Sequence, residues 1–210
     1  MNYEGVIVGL GNPGRRYERT RHNFGFLVAD GLLSPAVQRS GISSEAVKTV
    51  QDLYELYRVR FAAGQKVWLV VKPATFMNRS GLAVSRVCSY FRIPPDRLLV
   101  LHDELDLPLG RIKLKFGGGT AGHNGLRSIA DSLGALDFYR LRLGIGKPTQ
   151  AAMAVTDYVL GRFPEHEQEL VARVVDVALD GIERFVDQGA SPATEFVNSF
   201  QLSVASGLEQ

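Results

Sequence analysis

Two uninterrupted apolar runs constrain the fold of this chain more than any other feature. They are "KVWLVV" at 66–71 and "LLVLHD" at 98–103. A strand that is apolar on both faces is typical of the centre of a parallel sheet that is covered on both sides. Shorter or alternating apolar patterns predict further strands at 5–10, 54–61, 111–116 and 139–146.

Helical periodicity appears between and after these strands. Apolar residues recur at helical spacing in four segments, 24–32, 82–91, 126–133 and 165–188. Strands that alternate with helices favour an α/β fold, here a single domain with a twisted mixed β-sheet flanked by helices. We expect that domain to span residues 1–200 and residues 201–210 to form a loose tail, and we interpret 34–46 as a surface excursion.

The strands predicted at 111–116 and 139–146 each have one basic face. Their apolar positions, predicted to face the core, are Ile112, Leu114, Phe116, Leu141 and Leu143, and their basic positions are Lys113, Lys115, Arg140 and Arg142. Residues 1–160 hold 21 Lys and Arg against 13 Asp and Glu, whereas residues 161–210 hold 3 against 9. A basic body favours a polyanionic partner, although the charge count alone also fits an ordinary solvated surface.

Composition excludes several classes of protein. The longest apolar runs are far too short to cross a bilayer. No basic segment followed by a sustained apolar stretch begins the chain, so we expect no signal peptide. The single cysteine, Cys88, excludes an internal disulfide framework, and no C-x-x-C pair is present to hold zinc. These features predict a cytoplasmic protein with no membrane partner.

The first predicted strand leads into "GLGNPG", which satisfies the G-x-G-x-x-G spacing of dinucleotide-binding turns. In such folds the third glycine begins a helix whose amides face a phosphate. Here Gly14 is followed by the polar run "RRYERTRHN", and Pro13 removes one amide from the turn. The context therefore argues against a nicotinamide or flavin enzyme. It leaves Asn12 at the carboxyl end of a strand, where ligands bind in α/β sheets.

Polar clusters follow other predicted elements in the same way. They occur in "RHN", "FMN", "HDELD" and "GHNG", at residues 21–23, 76–78, 102–106 and 122–125. Each alone is compatible with a helix cap or a solvated turn. Together they bring histidine, carboxylate and amide side chains to strand ends, a set that could supply a histidine base, its orienting carboxylate and amide donors for an oxyanion.

Two alternative chemistries use the same segments. The acidic cluster of His102, Asp103, Glu104 and Asp106 could bind a metal, but its spacing matches no known ligand pattern. Ser80 or Ser128 could act as a nucleophile; however, no G-x-S-x-G elbow is present and both serines fall within predicted helices. Both alternatives are weaker than a histidine that activates water.

Over almost its whole length the sequence resembles the bacterial peptidyl-tRNA hydrolases. The shared motifs are "VIVGLGNPGRRYERTRHNFGF", "VVKPATFMNRSG", "LLVLHDELDLPLGRIKLKFGGGTAGHNGLRSI", "YRLRLGIGKP" and "DYVLGRFPEHE". The resemblance implies a single α/β domain that hydrolyses the ester between a peptide and the terminal ribose of tRNA. It departs only after "GKP", where the family more usually has a glycine.

The resemblance also implies roles for individual residues. His22 would be the catalytic base, Asp103 would orient it, and Asn12 and Asn78 would supply catalytic amides. The substrate peptide or the attacked ester would be contacted by Tyr17, Asn23, Met77, Asn78, His123 and Asn124. The tRNA phosphates would be bound by Lys113, Lys115 and Arg142.

The remaining expectations concern partners and regulation. The family resemblance implies peptidyl-tRNA as the partner, no cofactor, no metal and no obligatory protein partner, so we expect a monomer. Residues 147–157 could form a lid over the peptide site. The principal alternative is a non-catalytic RNA-binding relative of the same fold, which would need the basic strands but not His22 and Asp103.

Overall fold

A computed structural model describes residues 2–35, 41–61, 66–149 and 152–202. Within these residues a seven-stranded mixed sheet has the order β2-β3-β4-β1-β5-β7-β6. The strands are β1 Val6–Gly9, β2 Ser43–Val50, β3 Tyr54–Phe61, β4 Lys66–Pro73, β5 Leu98–Glu104, β6 Ile112–Phe116 and β7 Tyr139–Gly144. The helices are α1 Phe24–Leu33, α2 Ser80–Phe91, α3 Asn124–Leu133, α4 Val155–Leu160, α5 Glu165–Gln188 and α6 Ala190–Ser199.

The two apolar runs form the strands that flank the centre of this sheet. β1 pairs in parallel with β4 on one side and with β5 on the other, and β5 pairs in parallel with β7. All seven residues of β5 are buried. This confirms the prediction that fully apolar strands lie between two covering layers. The carboxyl ends of β1 and β5 therefore lie side by side.

Helices cover both faces of the sheet. On one face, residues such as Ile7 and Leu99 pack against α1, α5 and α6. On the other face, residues such as Val8 and Leu98 pack against α2 and α3. Gly81 permits α2 to lie close to α3, because a Cβ there would be 2.0 Å from the Ser128 carbonyl oxygen. The predicted α/β domain with a mixed sheet and flanking helices is confirmed.

Several predictions about individual positions are wrong. The range 34–46 was expected to be a surface excursion, but residues 43–46 belong to β2, an edge strand that the sequence pattern did not reveal. Residues 36–40 of that range lie outside the described residues. Leu82 and Phe116, expected in the core, are 45% and 47% exposed. Arg140, expected on a basic face, is buried and donates hydrogen bonds to the carbonyl oxygens of Gly119 and Leu136.

Near its carboxyl end, the chain is attached to the sheet at Gln201 and Leu202. Gln201 forms a bridge with Arg111, and the Leu202 N–H donates to the Gly110 carbonyl at 2.9 Å. Residues 203–210 of the predicted tail lie outside the described residues. No helix in the described part of the chain is both long enough and apolar enough to span a membrane.

Candidate active site

The Asn12 loop, residues 10–14, begins the candidate site at the end of β1. Gly9 at the end of β1 and Gly11 in the loop both permit close packing: a Cβ at Gly9 would be 2.7 Å from the Ala29 Cβ, and one at Gly11 would be 2.5 Å from the Phe26 ring. The glycines therefore let α1 lie directly against β1. A single 3-10 turn, Arg15–Tyr17, follows the loop. The turn does not lead into the helix that a dinucleotide-binding turn requires.

Asn12 is held in one orientation by two neighbours. Its side-chain Oδ1 accepts a hydrogen bond from the Met77 N–H at 2.8 Å. The side-chain NH₂ takes no part in that bond. The backbone of Asn12 is paired with Asn23, whose Oδ1 accepts the Asn12 N–H at 2.8 Å and whose Nδ2 donates to the Asn12 carbonyl at 2.9 Å. Asn23 was predicted to contact substrate. In this structure both polar atoms of its side chain hold the Asn12 loop.

His22 and Asp103, which are 81 residues apart, form a direct pair. His22 Nδ1 lies 2.9 Å from Asp103 Oδ1 and 3.1 Å from Oδ2. Because a carboxylate only accepts, this contact puts the imidazole proton on Nδ1 and leaves the lone pair on Nε2. Among the described residues Nε2 has no hydrogen-bond partner, and His22 lines a cavity of about 730 Å³. A neutral histidine in this arrangement can take a proton from a molecule in the cavity.

His123 binds the same carboxylate with the opposite tautomer. Its Nδ1 accepts the N–H groups of Gly125 and Leu126, at 3.1 and 3.3 Å, and so caps α3. Its proton must then be on Nε2, which lies 3.0 Å from Asp103 Oδ1. Both ring nitrogens of His123 are occupied, so it is a neutral donor that supports Asp103. We call His22, Asp103 and His123 the His22 cluster.

The electrostatics of the cluster keep Asp103 ionised. Burial by itself would raise the pKa of the Asp103 carboxyl, but His123 and His22 together hold that pKa well below its usual range. His102, the preceding residue, is 1% exposed, and its Nδ1–H donates to the Asp103 carbonyl at 2.7 Å. Burial lowers the pKa of His102 to about 3, so this ring is neutral.

The His22 cluster also has the composition of a metal site, with one ligand atom from each residue within 4.8 Å of the others. The hydrogen bonds argue against that use. Ligation through His123 Nε2 would move its proton to Nδ1, which faces two backbone N–H donors. The α3 cap would then be lost. The donor set therefore fits a histidine–carboxylate network better than a cation.

A cavity of about 730 Å³ opens beside the cluster. Five other residues with predicted site roles also line it: Asn12, Tyr17, Met77, Asn78 and Asn124. Asn78 and Asn124 are exposed at its rim, and Asn124 accepts a hydrogen bond from Arg127. Met77 is buried in the wall. Asn23 is the only predicted catalytic or peptide-contacting residue that does not line the cavity.

Sequence patterns missed part of the cavity wall. Phe76, which is 56% exposed, packs edge-on against Tyr17 at a centroid separation of 6.2 Å. The opposite wall comes from α4, through Val155, Thr156, Val159 and Leu160. The aromatic residue that begins "FMN" was the one signal in the sequence. Nothing in "VTDYVL" distinguishes this helix from an ordinary surface helix.

The two serines of the alternative mechanism have structural roles. Ser80 is fully buried, and its hydroxyl donates to the Met77 carbonyl at 2.9 Å. Ser128 Oγ accepts the Gly81 N–H at 2.9 Å between α2 and α3. Neither serine lines the cavity that contains His22. These contacts support water, activated by His22, over a serine nucleophile.

The three residues predicted to bind tRNA lie together on β6 and β7, and we call them the basic face: Lys113, Lys115 and Arg142. Lys113 is directly opposite Arg142, and Lys115 is opposite Arg140. Arg142 is also paired with Glu104, its Nε lying 3.0 Å from Oε2 of that buried carboxylate. Glu104 lines the cavity, so the basic face adjoins the candidate active site.

Comparisons with known proteins agree with this geometry. The family model described as peptidyl-tRNA hydrolase matches residues 6–205. A peptidyl-tRNA hydrolase of Oleidesulfovibrio alaskensis is 53% identical over 95% of this chain and 98% of its own length. One from Nitratidesulfovibrio vulgaris is 49% identical over 96% of this chain and 100% of its own.

A solved structure is similar to this chain over nearly its full length. The crystal structure of peptidyl-tRNA hydrolase from Acinetobacter baumannii has a TM-score of 0.82 and 36% sequence identity, covering 96% of this chain and 98% of that one. The sequence match and the structural match both extend over nearly the full chain. This chain therefore belongs to the peptidyl-tRNA hydrolase family.

Proposed function

We propose that this chain hydrolyses the ester that joins a peptide, or an N-blocked aminoacyl group, to the terminal ribose of tRNA, and so releases free tRNA for reuse in translation. One observation carries the proposal beyond family membership. The Nδ1 of His22 is 2.9 Å from an ionised, buried Asp103, so its Nε2 is the nitrogen available in the cavity. A base, its orienting carboxylate and nearby amides are the parts that ester hydrolysis by water requires.

The proton path begins at His22. Its Nε2 takes a proton from water as the water oxygen attacks the ester carbonyl carbon. Asp103 stabilises the imidazolium that forms, and His123 keeps Asp103 in place through Nε2–H at 3.0 Å. The imidazolium then gives its proton to the ribose oxygen as the ester C–O bond breaks. The products are tRNA with a free hydroxyl and a peptide carboxylic acid, which releases its proton to solvent and becomes a carboxylate; no covalent intermediate forms.

Asn12 is the better-supported donor for the tetrahedral oxyanion. Its Oδ1 is fixed by the Met77 N–H at 2.8 Å, and the loop backbone is fixed by Asn23. A donor that is already oriented stabilises developing charge without reorganisation. Asn78 is exposed and has no such anchor. It is suited instead to contacts with the substrate peptide, together with Asn124, Tyr17 and Met77.

Side-chain amides also explain selection for a blocked amino group. An asparagine can donate to a peptide carbonyl and accept from a peptide N–H. A free aminoacyl-tRNA carries a protonated amine and has no such carbonyl. The rim residues Asn78 and Asn124 are exposed on the cavity and supply this pattern. We therefore expect N-blocked esters to be cleaved and unblocked esters to be rejected.

The basic face is suited to the tRNA phosphates. Like charges directly opposite each other destabilise a sheet, so the Lys113–Arg142 and Lys115–Arg140 pairs call for a compensating anion. Glu104 supplies one for Arg142, and a phosphate would supply another. Contacts of this kind give salt-dependent affinity and read little base sequence.

The test is release of N-acetyl-aminoacyl groups from tRNA by purified protein in the presence of EDTA. Unblocked aminoacyl-tRNA and the His22→Ala variant serve as matched controls. We expect rapid cleavage of the blocked ester alone, and loss of that cleavage in the variant. Binding without cleavage would favour the RNA-binding alternative. Cleavage that survives in His22→Ala would overturn the role of His22 while leaving the activity intact.

Cytoplasmic location, monomeric state and a lid at 147–157 stay predictions. Residues 150 and 151 of that segment lie outside the described residues. Size-exclusion chromatography with light scattering would test the monomer.

A further inference from the structure

Arg21, the residue before His22, has no role in the mechanism above, yet it is only 9% exposed and its guanidinium stacks on Tyr158 of α4. We propose that Arg21 is a positioning residue, which clamps the α4 wall of the cavity to the turn that carries His22 and so sets substrate affinity. This inference rests on the proposed function, because the wall matters only if a substrate peptide occupies the cavity.

The guanidinium of Arg21 joins two regions that are far apart in sequence. Its Nη1 donates to the Arg162 carbonyl at 2.8 Å, and its Nη2 lies 3.1 Å from the Glu167 carboxylate. Its flat face lies 4.4 Å from the ring centroid of Tyr158 and 5.2 Å from that of Phe163. One planar cation thus contacts the end of α4, the α4–α5 connection and the first turn of α5.

Backbone contacts place the same junction next to His22. The Arg21 N–H donates to the Gly161 carbonyl at 3.0 Å, and Thr20 forms a bridge with Arg162. His22 and Asn23 complete the 3-10 turn that Arg21 begins. The His22 turn and the end of α4 are therefore attached to each other through both backbone and side chain.

Among the described residues, the contacts that hold α4 lie in its carboxyl-terminal half, where Val159 also belongs to the buried core. Near its carboxyl end, Tyr158 stacks on Arg21 and its hydroxyl donates to the Ile145 carbonyl at 2.6 Å. At its amino end, Val155 is 51% exposed and lines the cavity. The Arg21 junction thus adds stacking and hydrogen bonds to the core packing that positions the substrate-facing side chains of α4. His22 itself is held separately, by Asp103.

This division of contacts predicts a specific kinetic result. Arg21→Met removes the fork, the charge and the stacking while it keeps an unbranched apolar side chain. We expect KM for N-blocked aminoacyl-tRNA to rise about three- to tenfold, because a stacked, largely buried cation on an aromatic ring is a contact of that strength. We expect kcat to change less than twofold, and its pH profile to stay unchanged, because the His22–Asp103 pair is intact.

A purely structural role would give a different result. Partial unfolding lowers the amount of active enzyme, which reduces apparent kcat and leaves KM unchanged. Arg21→Lys tests the geometry, since lysine keeps the charge near Glu167 but lacks the planar fork; we expect it to restore less than half of the affinity lost. Arg173→Met, an exposed arginine substitution on α5, is the matched control and should leave both constants unchanged.

Tyr158→Leu, which removes the stacking ring, completes the design. If Arg21 acts through α4, Arg21→Met should raise KM less in the Tyr158→Leu background than in the wild type. Measurements are made well below the melting temperature of every variant. An unchanged KM in folded Arg21→Met protein would overturn the inference while the wild-type enzyme remains active. A wild-type protein that cleaves no blocked ester would overturn the proposed function instead.

Discussion

The His22 cluster and the basic face use charged residues in opposite ways. In the cluster, Asp103 is buried and receives N–H donors from His22 and His123. On the basic face, Lys115 is exposed and Lys113 is half-buried. The first arrangement orients one imidazole nitrogen, and the second leaves positive charge available to an incoming anion.

This difference in burial determines what each region can do. Buried charges are poorly screened, so the position of a single proton in the cluster has a large energetic effect. Exposed charges are screened by salt within about 8–10 Å, so the basic face can attract a polyanion but cannot fix an orientation sharply. We therefore expect substitutions in the cluster to change kcat strongly, and substitutions on the basic face to change affinity and its salt dependence.

Asp103→Asn should have the largest effect. The substitution removes the negative charge and puts a donor or a weaker acceptor opposite His22 Nδ1, which favours the wrong imidazole tautomer. We expect kcat to fall about 10³- to 10⁴-fold, in line with the equivalent change in other histidine–carboxylate enzymes. Single-turnover hydrolysis of N-acetyl-aminoacyl-tRNA measures it. A loss smaller than tenfold would mean that Asp103 does not control the tautomer.

Asn12→Asp should have the next largest effect. An aspartate oxygen can still accept the Met77 N–H, but the donor that faces the cavity is lost. We expect kcat to fall about 10²- to 10³-fold, the usual result of losing one oxyanion donor. Asn78→Asp is the matched comparison and should mainly raise KM. If Asn78→Asp lowers kcat more than Asn12→Asp does, the assignment of the oxyanion donor must be reversed.

Replacing a lysine of the basic face with a neutral residue should weaken the affinity for the tRNA substrate. For Lys113→Gln or Lys115→Gln we expect KM to rise up to about tenfold with kcat nearly constant. Each lost phosphate contact should also reduce the slope of log KM against log salt by about one. A short N-acetyl-aminoacyl ester that lacks the tRNA body is the control substrate. Equal losses on that substrate would show that these lysines act on the His22 cluster and not on tRNA.

The smallest expected effect concerns His102 and the pH dependence of stability. Burial lowers its pKa to about 3 in the folded protein, whereas an unfolded histidine has a pKa near 6.5. Between about pH 6.5 and 3, His102 is therefore protonated in the unfolded chain and neutral in the folded chain. His102 should lower the free energy of unfolding by up to about 1.4 kcal/mol for each pH unit between 6.5 and 3.

Urea unfolding from pH 6.5 to 5 in wild type and His102→Asn measures that contribution. Asparagine can still donate to the Asp103 carbonyl but does not titrate, so its stability should fall less steeply as the pH is lowered. Parallel curves for the two proteins would contradict a neutral, buried His102. The comparison of slopes is independent of any constant loss of stability in the variant.

The sequence predicted the strands whose residues are continuously apolar or alternate between apolar and polar. It missed β2, which has neither pattern. β2 reads "SSEAVKTV"; six of its eight residues are exposed and none is buried, so no face of this edge strand is marked by apolar residues. Leu82 and Phe116 satisfied the periodicity, but each is nearly half exposed. Arg140 satisfied a basic alternation but is buried under the glycine-rich loop that follows β6.

The candidate site divides in a similar way. The positions of polar residues at predicted strand ends, together with the resemblance of the motifs, were sufficient to name His22, Asp103 and the asparagines as candidate site residues. They did not reveal that Asn23 is fully engaged with the Asn12 backbone, that His123 has the tautomer opposite to that of His22, or that α4 forms a wall. Each of these depends on hydrogen bonds between segments that are distant in sequence.

The amino-acid sequence by itself determined the α/β class, the central strands and the family, because burial periodicity and long ordered motifs are properties of the chain alone. Only the tertiary structure decided which nitrogen of each histidine carries the proton, and which residues clamp α4 to the His22 turn. The physical reason is that a tautomer, a cation–π contact and an ion pair are set by the partner that folding brings within about 3–5 Å, and Glu167, the partner of Arg21, is 146 residues away.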